Sequence, residues 1–180
     1  MSSTSIDIKP KQHYEILDGL RGVAAILVVA FHIFETFAGG NRFKQIINHG
    51  YLAVDFFFLL SGFVVAYAYD DRWEKMTQWD FYKRRLIRLQ PMVIMGSIIG
   101  AALYYFQASD VLFPMIGEMP VWKLILVMLI GCTLLPLTPS MDIRGWSEMH
   151  PLNGPAWSLF FEYIANILYA LVFRKFSNKV

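Results

Sequence analysis

The stretch Gly22–Ala38 reads GVAAILVVAFHIFETFA. Its length and apolar character decide the fold class. A hydrocarbon core of roughly 30 Å takes about 20 mostly apolar helical residues, with a range of about 17–25. Four further runs meet the same description: Tyr51–Tyr69, Pro91–Phe106, Val121–Leu137 and Ala156–Phe173. Inside a bilayer each segment must satisfy its own backbone groups, which leaves helix as the only open-ended option. The reading is an all-α, polytopic membrane helix bundle of about five transmembrane helices, forming one domain over residues 1–180.

Composition agrees. Hydrophobic residues make up 56% of the 180 and charged residues 17%, against about 45–50% and about 25% in soluble domains. The mean hydropathy is +0.44. A formal charge of +2 gives no bulk electrostatic case for nucleic acid as a partner. The lone cysteine, Cys132, excludes an intrachain disulfide and a cysteine-based zinc site. The first twenty-one residues are polar, and the run after them is too long for a signal-peptide core. They read as a cytoplasmic tail leading into an uncleaved signal anchor.

Basic residues orient such a chain. Arg72, Lys75, Lys83, Arg84, Arg85 and Arg88 crowd the segment between helices two and three. That segment is expected in the cytoplasm, together with the N-terminus and its Lys9, Lys11 and Arg21. The loop carrying Arg42 and Lys44 then faces outward, as does the acidic loop from Asp110 to Glu118. Five simple crossings would also put Arg174, Lys175 and Lys179 outside, against the positive-inside trend.

Ionisable groups in a membrane span are costly, so each is a site hypothesis. At 100° per residue Asp18, Arg21, His32 and Glu35 share one face of helix one. Arg21 and His32 sit roughly 16 Å apart along the axis. This polar stripe suits a protein-lined cavity with His32 as proton acceptor, or a buried histidine bonded to a neighbouring helix. Asp55 lies near the outer end of helix two, where it could orient a histidine, pair with an arginine or contact water. Gly62 and Ala66 have the spacing of a close helix contact. Ser61 lacks a nucleophile elbow. Arg85 and Arg88 share a face, and with Arg84 they suit phosphate oxygens or anionic lipid. Helix five opens with Pro155 and the interfacial Trp157, then carries Ser158, Glu162 and Asn166 at i, i+4 steps. That second stripe reads as a helix interface or as a carboxylate in a cavity. The His13–Asp18 spacing is coincidental. His49 and His150 sit in loops without metal-ligand spacing, and no metal site is expected.

Four blocks together resemble the acyltransferase-3 family of integral-membrane O-acyltransferases. LDGLRGVAAILVVAFH, with Arg21 and His32, is similar to the family's Arg-x10-His opening. GYLAVDFFFLLSGFVV, with Asp55–Phe57 and Ser61–Phe63, resembles its second block. FYKRRLIRLQP resembles the Arg-rich block, and GPAWSLFFEY the Trp-Ser-Leu-x-x-Glu block at Trp157–Glu162. The family has about ten transmembrane helices, and the match covers its first half.

The resemblance implies transfer of an acyl group, usually acetyl, from acyl-CoA to a hydroxyl of a cell-envelope or exported carbohydrate. It implies a bacterial inner-membrane location with the N-terminus cytoplasmic, and a possible C-terminal half encoded separately. In that reading His32 is general base or acyl carrier. Arg21 stabilises oxyanion charge or holds a donor phosphate. Arg84, Arg85 and Arg88 bind coenzyme A phosphates. Glu162 orients His32 or binds acceptor hydroxyls. Asp55, Ser61, Trp157 and Ser158 are supporting residues. Two other readings stay open: a transporter-like protein and an inactive packing subunit. A transporter would be expected to show broken helices or a paired repeat, and the sequence displays neither.

Overall fold

A computed structural model describes residues 12–39, 41–106, 117–145 and 147–176. Lys9, Lys11, Asp110 and Lys179 lie outside the described residues. Among those described there are five helices and no β-strand: α1 (Glu15–Phe37), α2 (Leu52–Tyr69), α3 (Gln78–Phe106), α4 (Val121–Thr133) and α5 (Ala156–Leu171). Of these, α1, α2, α3 and α5 with its trailing turn are long and apolar enough to cross a membrane. The chain divides into two compact units, Met1–Arg72 and Trp73–Val180.

In unit 1, α1 packs against α2. The helix starts at Glu15, earlier than the apolar run implies. Glu15 and Asp18 occupy its first turn, where carboxylates favour the positive end of the helix dipole. Phe31 is buried beside Gly50 and makes an edge contact with Tyr51, ring centroids 6.5 Å apart. A side chain at Gly50 would overlap Phe31. Near the start of α1, Tyr14 packs edge-on against Phe63 and Tyr67, and the Tyr67 hydroxyl donates to the Gln12 carbonyl at 3.2 Å. The expected close contact through Gly62 is not formed. That glycine is exposed, and no described atom lies within 4 Å of where its Cβ would be.

Unit 2 is organised around α3, 29 residues long. It begins at Gln78 rather than at Pro91, so the Arg-rich block is helical. Pro91 lies inside the helix, a position membrane helices tolerate when neighbouring groups take up the freed carbonyl. The Thr77 hydroxyl donates to the Asp80 carboxylate at 2.7 Å, and the Asp80 N–H donates back to it at 3.2 Å, capping the start.

The fourth helix is shorter than the run Val121–Leu137. It stops at Thr133, and Leu134 turns left-handed at φ 63°. Pro136 follows, and a proline disfavours the helical conformation in the residue before it. Thirteen residues span only about 20 Å, too short for a simple crossing.

Successive contacts trace the next segment along α3. Leu134 packs on Val93. The chain then runs to Ile143, whose carbonyl accepts from the Tyr104 hydroxyl at 2.6 Å. It returns past Gly100 at Leu152 and Gly96 at Asn153. At Ala156 it again meets Val93, and α5 continues to Tyr169, whose ring lies 5.7 Å from that of Phe81. Residues 134–155 therefore fold back beside the second half of α3, and α5 runs antiparallel to the first half. Arg174 stacks over the Trp73 ring, 4.5 Å from its centroid. This corrects the expectation for the tail: Arg174 and Lys175 lie at the same end of unit 2 as the start of α3.

Candidate functional site

Each unit holds part of the expected site residues. In unit 1, Arg21 Nη1 donates to Asp18 Oδ1 at 2.9 Å, and Asp18 Oδ2 also pairs with His13 Nε2 at 2.9 Å. Three turns along α1, His32 Nδ1 faces Glu35 Oε2 at 3.3 Å, with the His32 side chain 51% exposed. A carboxylate beside one ring nitrogen orients the imidazole. The polar stripe is therefore real as a helix face, with Glu35 as the partner of His32. On α2, Asp55 is exposed and Ser61 half-buried.

In unit 2, Arg85 is buried on α3 and its Nη2 donates to Glu162 Oε1 on α5. The Arg-rich block and the Trp-Ser-Leu-x-x-Glu block, 77 residues apart along the chain, thus meet through one ion pair. Asn166, one turn on, is buried and donates to the Glu162 carbonyl at 2.8 Å. Arg84 and Arg88 remain exposed. Trp157 is exposed, and the Ser158 hydroxyl donates to the Pro155 carbonyl at 2.9 Å.

The first two turns of α3 and the later turns of α5 enclose a cleft of about 400 Å³. Arg85, Lys83, Tyr82 and Trp79 line one wall, and Tyr163 and Asn166 the other. Its surface is almost wholly apolar, with Arg85 turned to Glu162 and Lys83 at the margin, which suits the apolar part of a ligand.

Gln90 was missed by sequence reasoning. Its Oε1 accepts from the Tyr163 hydroxyl at 3.0 Å, and its Nε2 donates to the Cys132 carbonyl. One side chain thereby ties both α4 and α5 to α3 a turn beyond Arg85. The signal was an amide within an apolar helix next to a proline.

The 134–155 segment carries its own polar cluster. Asp142 accepts from the backbone N–H groups of Arg144 at 2.9 Å and Ser147 at 2.7 Å. Burial pushes its carboxyl up, but these backbone donors, with Gly145 and Ile143, outweigh burial and hold it below the usual carboxylate value. Burial raises Glu148, partly opposed by Arg144 at 3.7 Å. Burial lowers His150.

The acyltransferase-domain family model matches residues 14–180. The chain is 34% identical over 167 residues to "Protein 2 in picA locus" of Rhizobium radiobacter, covering 89% of this chain and 83% of that one. It is 32% identical to "Acyltransferase MdmB" of Streptomyces mycarofaciens over 88% of this chain and 38% of that protein. It is 29% identical to "Peptidoglycan O-acetyltransferase OatA" of Listeria monocytogenes over 60% of this chain and 16% of that protein. The chain is thus comparable in length to the first relative and spans well under half of the other two. No solved structure matches it. A family model covering nearly the whole chain, over the same blocks that meet at Arg85 and Glu162, places this chain in the acyltransferase-3 family.

Proposed function

We propose that this chain takes part in O-acyl transfer at a membrane, moving an acetyl group from acetyl-CoA to a hydroxyl of a cell-envelope or exported carbohydrate. The observation that carries the reading is the Arg85–Glu162 pair, which joins two family blocks beside a mostly apolar cleft at the end of α3 where Lys83, Arg84 and Arg88 are exposed. The exposed Arg84 and Arg88, with Lys83, are the groups for the donor's phosphates. Arg85 is engaged by Glu162 and shapes the cleft instead. In the reaction the acceptor oxygen attacks the thioester carbonyl, a C–O bond forms and the C–S bond breaks. His32 takes the acceptor proton, Glu35 supports the imidazolium, and coenzyme A leaves as the thiol after accepting a proton. Arg21 stabilises anionic charge near the same stripe. The site belongs in a bacterial inner membrane with the N-terminus cytoplasmic.

The test is transfer of isotope-labelled acetyl from acetyl-CoA to envelope carbohydrate by the chain reconstituted in liposomes. General base catalysis contributes typically about 10²–10⁴-fold, so His32→Ala is expected to lose that much. Arg88→Ala is expected to raise the KM for acetyl-CoA. A His32→Ala variant with full activity overturns the base assignment, and an unchanged donor KM overturns the phosphate role. A folded wild-type chain with no acetyl-CoA-dependent transfer favours the packing-subunit reading.

A further inference from the structure

His150 lies on the 134–155 segment and takes no part in the chemistry above. It is 4% exposed, and neither ring nitrogen has a hydrogen-bond partner among the described residues. Its ring lies near that of Phe160, centroids 6.4 Å apart and tilted by 57°. His150 lines a small, partly open cavity of about 10 Å³, shared with Ser97 of α3, Gly131 of α4 and Asn153. Ser97 is 1% exposed. Three pieces of unit 2 converge there.

The lining dictates what fits. A neutral imidazole offers one N–H donor and one bare acceptor nitrogen, and leaving a buried donor or acceptor unmade is unfavourable. No carboxylate and no cation lines the cavity, so neither a metal ion nor an anion finds a counter-charge. The volume is about that of one water-sized probe. The missing partner must be small, uncharged, and able both to donate and to accept. Ser97 and Asn153 are the other polar side chains of the lining, and a hydroxyl oxygen meets every requirement.

We propose that His150, Ser97 and Asn153 form a site for a single hydroxyl oxygen that fastens the 134–155 segment to α3. Two sources share that chemistry: a resident water molecule, or a hydroxyl of a carbohydrate acceptor. The first is independent of the proposed acetyl transfer, and only the second rests on it. The site also bears on α5, because Asn153 stands three residues before that helix begins.

The experiment uses ¹⁵N-histidine-labelled chain in lipid nanodiscs, with the His150 signals assigned by their loss in His150→Gln. A His150 ring nitrogen hydrogen-bonded in buffer alone identifies resident water. A change in that resonance on adding methyl glucoside, absent in Ser97→Ala, identifies an acceptor hydroxyl. Ring nitrogens that are unbonded under both conditions overturn the site, whatever the outcome of the acetyl-transfer assay. A thermal-unfolding cycle of His150→Leu and Ser97→Ala gives a second reading. The site predicts that the double variant loses less Tm than the two single losses combined. Strict additivity, or a His150→Leu variant more stable than wild type, overturns it.

Discussion

Glu162 is what allows Arg85 to be buried. A guanidinium away from water is tolerated when its charge is balanced and its donors engaged, and Glu162 supplies that balance from α5. Removing one partner of a buried pair costs about 3–5 kcal/mol, whereas replacing both with apolar residues of similar volume is often neutral. Glu162→Leu should therefore lower stability by that amount, and Arg85→Met combined with Glu162→Leu should recover most of it. Thermal or SDS-induced unfolding in nanodiscs measures both, and a stable Glu162→Leu single variant would contradict the pair's role. His150 gives a residue-scale prediction of a different kind. Burial holds its folded-state value below the ordinary one. Between those two values the unfolded chain binds a proton that the folded chain does not. Stability therefore falls as pH is lowered from about 6.5 towards the folded value and levels off below it. Unfolding measured across this range should show that loss in wild type and a smaller one in His150→Gln. Glu162 and Arg85 were both legible in the sequence, because charged residues inside apolar runs stand out. Their pairing was not, since nothing local links positions 77 residues apart.

Two small residues four apart mark a helix face that something approaches closely, and this chain offers two comparable faces with opposite outcomes. On α2, Gly62 and Ala66 have the spacing, yet Gly62 meets nothing. On α3, Gly96 and Gly100 have it too, and a methyl group at Gly100 would overlap the Leu152 carbonyl while one at Gly96 would overlap the Asn153 amide. The neighbour is an irregular backbone segment rather than another helix, so helix–helix reasoning gives no reason to prefer this pair. Overpacking a tight contact costs typically about 1–3 kcal/mol, and Gly100→Ala faces backbone that cannot swing aside. It is expected to destabilise unit 2 by at least that range. Gly62→Ala should be neutral or gain up to about 1 kcal/mol from helix propensity. Equal effects of the two in one unfolding assay would mean that the segment does not lie on α3. Helix existence was readable from the apolar runs, whereas helix ends were not. Asp80 and Thr77 set one end, and Pro136 with left-handed Leu134 set another.

At the scale of the whole chain, direction was the feature least visible in the sequence. Counting every apolar run as one crossing sends Arg174 and Lys175 to the side opposite Lys83, Arg84 and Arg88. That count assumes that each loop merely reverses the chain. Residues 134–155 do more: they run up to Tyr104 and back down past Gly100 and Gly96 before α5 begins. The contacts responsible join positions some forty to sixty residues apart, and no periodicity encodes them. Once the segment is followed, Lys83, Arg84, Arg88, Arg174 and Lys175 gather at one end, with Lys123 and Arg144 toward the other, and the positive-inside trend predicts the first end in the cytoplasm. Accessibility can decide this. In a Cys132→Ser background, Lys83→Cys and Lys175→Cys should react with a membrane-impermeant maleimide in inverted vesicles and stay protected in right-side-out ones. Glu118→Cys should do the reverse, because Met119 next to it packs on the cluster containing Tyr104 at the far end of α3. If Lys175→Cys instead follows Glu118→Cys, α5 crosses the membrane in the direction the simple count assumes. The Arg85–Glu162 pair could not then form between the first turns of α3 and the middle of α5, so the labelling tests the site's geometry as well as the topology.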